Sequence, residues 1–164
     1  MGMHQDHWPL VRQDMINEVN SGKSYQNPKL MFNVVGSSKE EVIKSLDHKS
    51  GHAGIKQWMK FPDHGFILAD TYNRPVVVLA ADGPFTYLPL HHAPPVPPPS
   101  PICIIFLRAE AHFVAFRFFS SLWPAPRVMM GWERHATEEA KRWKKVISPN
   151  KEMGEKEFLF HFCI

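Results

Sequence analysis

The sequence predicts an α+β domain, with helices packed against a mainly antiparallel sheet. Three observations carry that expectation. Helical periodicity and helix caps occupy residues 6 to 74. Apolar runs rich in β-branched and aromatic residues occupy 75 to 118. A proline-rich stretch divides those runs into two pairs, giving the order helix, helix, helix, strand, strand, strand, strand. The 164 residues suffice for one domain with a substantial core and are few for two.

Asp6 suits the cap of a first helix, with Pro9 in its first turn. Trp8, Val11, Met15, Ile16 and Val19 recur near helical spacing, and Asn20-Ser21-Gly22 ends the element. Ser38 and Glu41 form a Ser-x-x-Glu capping box for a second helix. Val42, Ile43 and Leu46 supply its apolar side, and the end is expected near Gly51. Pro62 begins or interrupts a third helix, with Asp63 placed well for the helix dipole and Asn73-Arg74 as its close.

Pro75-Val76-Val77-Val78-Leu79-Ala80 reads as a strand covered on both faces. Asp82-Gly83-Pro84 makes a turn, and Phe85 to Leu90 forms a second strand whose end Pro89 places at an edge or exit. From Ala93 to Pro101, six of nine residues are proline, a stiff loop prone to polyproline II. Pro101 to Leu107 reads as a buried strand, and a strand opening at His112 follows a short turn. Thr137 suits the cap of a helix through Ile147, with Ala140, Trp143 and Val146 on one side. Residues 148–164 lack a pattern and are expected to be a poorly ordered tail.

The formal net charge of +3 is spread along the chain, which argues against nucleic acid or an anionic membrane as partner. No apolar run approaches the roughly 18 residues of a membrane span. The start, Met1 to His7, has no apolar stretch like a secretory signal, and Asp6 stands where a myristoylation motif wants Ser or Thr. Two cysteines do not make a disulfide framework, so an intracellular compartment, cytoplasm or nucleus, is expected.

Several residues could carry chemistry. His112, at a strand mouth after a tight turn, suits a general base, or a structural role set by its surroundings. Cys103 lies between Ile102 and Ile104 and reads as an inert thiol rather than a nucleophile. His91 and His92 point apart on extended chain and lack a third ligand, so no metal is expected. Asp63-His64 reads as an acid–base pair or, as expected here, a helix start with a surface histidine. The proline run is a rigid inter-strand loop or a ligand for a proline-reading module.

The run Trp58-Met59-Lys60-Phe61-Pro62-Asp63-His64-Gly65-Phe66-Ile67-Leu68-Ala69, then Tyr72-Asn73-Arg74-Pro75-Val76-Val77-Val78-Leu79, resembles the ovarian-tumour (OTU) family of cysteine proteases. The likeness is greatest to OTU-like domains found in plants and fungi beside transposon-derived sequences. Thr86 to Leu90, Ile102 to Phe106 and His112-Phe113-Val114 continue it in order, and Trp8 to Arg12 resembles the family's first helix. Trp132, His135, Thr137, Glu139, Ala140 and Trp143 resemble the group's C-terminal extension. The resemblance implies a papain-like fold over residues 1–147 and a role for His112 as general base.

The family's nucleophile sits in an Asp-Gly-Asn-Cys loop before the first helix. This sequence holds no such motif, and position 114 is Val where a third polar residue often stands. The resemblance therefore implies an N-terminally truncated domain related to deubiquitinating thiol isopeptidases and inactive as written, a pseudoenzyme needing no cofactor. Its implied partner is ubiquitin or a ubiquitinated protein. Two alternatives stand beside this: an upstream exon supplies the cysteine, or the chain is a non-catalytic binding module or transposon-derived remnant.

Overall fold

The computed structural model describes residues 7–21, 23–48, 54, 57–61, 63–81, 83–107, 112–118, 123 and 125–149. Among the described residues, α-helices accompany one four-stranded sheet, and the chain divides into two compact units, Met1–Thr71 and Tyr72–Ile164.

In the first unit, α1 (Trp8–Ser21) packs on α3 (Lys39–Leu46) and buries Met15 and Val19. Between them lie three short pieces that one-turn lengths conceal from any periodicity. A 3-10 turn, Lys23–Gln26, buries Tyr25. Then α2 (Pro28–Leu30), capped by the Asn27 side chain on the Lys29 N–H at 3.0 Å, runs into a π turn, Met31–Val35. Gly36 ends that turn at φ +85°, a conformation that glycine adopts without strain. Met31, Val34 and Val35 face inward.

The capping box of α3 forms in both directions. The Glu41 N–H donates to Ser38 Oγ at 3.2 Å, and the Ser38 N–H donates to Glu41 Oε2 at 2.9 Å. The helix stops at Leu46 rather than near Gly51. Leu46 is its last buried apolar residue, and the polar residues that follow supply nothing further to bury. Then α4 (Asp63–Tyr72) follows Pro62, with Asp63 in its first turn, and is buried along 64–70. Asn73 closes it in the left-handed region at φ +45°, which asparagine tolerates.

The second unit holds the sheet, ordered β2-β1-β3-β4. β1 (Val76–Ala80) pairs antiparallel with β2 (Phe85–Tyr87) and parallel with β3 (Ile102–Leu107), which pairs antiparallel with β4 (His112–Phe116). Two of the three pairings are antiparallel, and the parallel one is central. β1 is buried from Val76 to Leu79, as its unbroken apolar run requires. The chain reaches β3 from β2 through 88–101, which carries it to the other side of β1. That passage makes the central pair parallel.

The C-terminal part grips this connection. Trp132 Nε1 donates to the Pro89 carbonyl at 2.9 Å, and the Thr137 N–H donates to the Leu90 carbonyl at 2.8 Å. Thr137 Oγ1 donates to the His91 carbonyl at 3.4 Å, and Trp143 Nε1 to the His92 carbonyl at 2.9 Å. Four consecutive carbonyls are thus taken by one later stretch, built from α5 (Trp132–His135), a 3-10 turn, Ala140–Arg142, and a helix over 143–149. Thr137 also caps that stretch by accepting from the Ala140 N–H at 3.2 Å. Ala140, Trp143 and Ile147 form its buried side, with Val146 half-buried. Of the expected tail, 148 and 149 are helical, and 150–164 lie outside the described residues.

Candidate functional site

His112 opens β4, its backbone paired with Leu107 of β3. The expectation that its imidazole serves as a base lies outside the described residues, because its side chain is among those not described. Cys103 sits inside β3, buried, opposite Val77 and Phe116. Burial pushes its thiol up to about 12, against a smaller opposing effect of Arg74. A thiol in that state carries almost no thiolate near neutral pH, and thiolate is the nucleophile.

The best-organised polar cluster lies in the first unit, on a residue expected at the surface. His64 is 1% exposed. It is not paired with Asp63, whose Oδ2 instead accepts from Ser37 Oγ at 2.6 Å. The Lys60 N–H donates to His64 Nδ1 at 3.0 Å. That bond occupies the Nδ1 lone pair, so the proton of the neutral ring sits on Nε2. Nε2 is 3.0 Å from Ser45 Oγ, and Ser45 Oγ donates to the Val42 carbonyl at 2.7 Å. The direction is therefore His64 Nε2–H to Ser45 Oγ–H to Val42 carbonyl. In this arrangement His64 donates to the serine and cannot take its proton. The pair lacks the polarity of a nucleophile and its base.

Electrostatics agree with that assignment. Burial holds the His64 imidazole down at about 4, with Arg12 and Lys60 pushing the same way and Asp63 opposing. Arg12 braces the cluster by donating to the Ser45 carbonyl at 3.0 Å and the Gln57 carbonyl at 2.6 Å. A cleft of about 520 Å³ opens beside it, lined by Ser37, Glu41, Lys44, Gln57, Lys60 and Asp63 among others. A second buried pair, Tyr25 Oη donating to Asp70 Oδ2 at 2.5 Å, joins the 3-10 turn to α4. Burial, then the Asp70 charge, raises the Tyr25 phenol well above its ordinary value, so Tyr25 remains the donor.

Sequence reasoning missed both pairs. Lys60 lies one turn before His64, but Ser45 is 19 residues away, and only packing brings them together. His91 and His92 contribute their carbonyls to the C-terminal grip, and burial with the neighbouring His92 brings the His91 ring down to about 4. Among the described residues, no group of three or more His, Cys, Asp or Glu side chains could hold a metal ion. No described helix is long and apolar enough to cross a membrane. A scan against protein-family models finds no match, and searches of curated proteins and of solved structures find none either.

Proposed function

We propose that this chain is an OTU-like, intracellular module that binds ubiquitin or a ubiquitinated protein without cleaving it. The binding half rests on the ordered resemblance from Trp8 to Ile147. The non-catalytic half is carried by Cys103: a buried strand thiol held near 12 is no nucleophile. The Ser45–His64 pair offers no substitute, because its hydrogen-bond direction is reversed.

The test uses ubiquitin bearing a C-terminal electrophile, together with unmodified ubiquitin in a direct binding measurement. The expected result is no covalent adduct with the chain or its Cys163→Ser variant, and saturable binding of unmodified ubiquitin. An adduct lost on Cys103→Ser would overturn the non-catalytic half. Absence of ubiquitin binding by a folded chain would overturn the other.

A second reading is favoured by the position of His112 as the first residue of β4. In it, an Asp-Gly-Asn-Cys-like loop encoded upstream completes a thiol isopeptidase, and His112 shuttles the proton. Sequencing the genomic region before the Met1 codon tests it: an in-frame cysteine loop supports it, and its absence overturns it.

A further inference from the structure

The cleft beside His64 lies within the first unit, and its hydrogen bonds give it a polarity. On α3, Glu41, Lys44 and Ser45 fall on one helix face at spacings of three and four, and all three line the cleft. Gln57, Lys60 and Asp63 line it from outside that helix. Their backbone is held: Arg12 donates to the Gln57 carbonyl, and the Lys60 N–H donates to His64 Nδ1. Each acceptor side chain has one oxygen engaged. Glu41 Oε2 accepts from the Ser38 N–H, Asp63 Oδ2 from Ser37 Oγ, and Gln57 Oε1 from the Gly54 N–H at 3.0 Å. The donors are uncommitted. Among the described residues, Lys44 Nζ, Lys60 Nζ and Gln57 Nε2 make no hydrogen bond or ion pair.

Two ammoniums and one amide N–H₂ therefore face the cleft with nothing to donate to, and that surplus suits an anion. A planar carboxylate is matched best by the fork of an arginine. No arginine is among the described lining residues, and Arg12 is committed to two carbonyls. Ammoniums act as compact point charges and hold a tetrahedral phosphate from several directions. The volume of about 520 Å³ is that of a small-molecule site, larger than a bare phosphate fills. The two oxygens left over, Glu41 Oε1 and Asp63 Oδ1, are acceptors, and the groups that suit them are hydroxyls on the same ligand. Gly36 lines the cleft too, and a Cβ there would stand 3.4 Å from Asp63 Oδ1, so its hydrogen leaves that oxygen uncovered.

We propose that this cleft binds a small hydroxylated phosphate monoester, with Lys44, Lys60 and Gln57 on the phosphate and Glu41 and Asp63 on the hydroxyls. The proposal is independent of any binding of ubiquitin. Its test titrates the full chain by calorimetry with glucose 6-phosphate, with methyl phosphate, which lacks the hydroxyls, and with glucuronate, which carries a carboxylate in place of the phosphate. Glucose 6-phosphate is expected to bind saturably, and the other two about tenfold more weakly or less, a step of about 1.4 kcal/mol. Lys44→Gln with Lys60→Gln is expected to weaken glucose 6-phosphate at least about tenfold. Thermal unfolding of that variant is expected to be unchanged, since both side chains are exposed. Lys29→Gln with Lys145→Gln removes the same charge at exposed positions outside the cleft and is expected to leave binding as it is. Lack of saturable binding by the folded chain, or equal losses in the two variants, would overturn the site. Glucuronate or methyl phosphate binding as tightly as glucose 6-phosphate would overturn the class of ligand.

Discussion

His64 illustrates how one buried imidazole ties stability to pH. In the folded chain it stays neutral down to about 4, whereas an exposed histidine takes up its proton near 6.5. Between those values the unfolded chain binds more protons, so stability is complete above the window and falls as pH falls through it. The loss attributable to His64 reaches as much as about 3 kcal/mol. Urea unfolding at about pH 7 and about pH 5 checks this, with His64→Gln expected to flatten the difference. His91 works in the same direction and sets the slope that the variant retains. Little of this was legible beforehand. Position 64 stands one residue into α4, where an amphipathic helix would leave a histidine wet. The helix is instead buried along 64–70, and the imidazole is stabilised by a serine from another helix. Cys103, by contrast, was readable as inert from its isoleucine flanks, because burial in a strand interior follows from local pattern.

At the scale of elements, what was legible is what is local. The Ser38–Glu41 box needs only four consecutive residues, and its bonds form as the sequence implies. Ser38→Ala is expected to lower stability by about 1 kcal/mol, read from the denaturant midpoint, and Ser38→Asp to restore most of it. The apolar run at β1 likewise dictated a strand covered on both faces. Which strand lies beside which was not local. The parallel β1–β3 pair depends on where 88–101 crosses, and neither strand's sequence encodes its partner. The π turn and α2 escaped notice because elements of three to five residues show no period.

At the scale of the whole molecule, the second unit depends on residues far apart in sequence. Trp132, Thr137 and Trp143 meet the carbonyls of 89–92 at separations of 43 to 51 residues. The tryptophans were visible in the sequence as apolar bulk, but bulk does not reveal where an indole N–H will point. Trp132→Phe keeps a ring in place and leaves the buried Pro89 carbonyl without its donor. It is expected to destabilise the unit by about 1–3 kcal/mol, measured by chemical denaturation. The grip also bears on synthesis. A ribosome delivers 76–107 well before 132–143, so the growing chain holds its strands while Pro89 and Leu90 still lack their late donors. Completion of this unit must wait for Trp143 to emerge. A chain that ended between those points would contain every strand of the sheet and none of the indole donors that meet the Pro89 and His92 carbonyls.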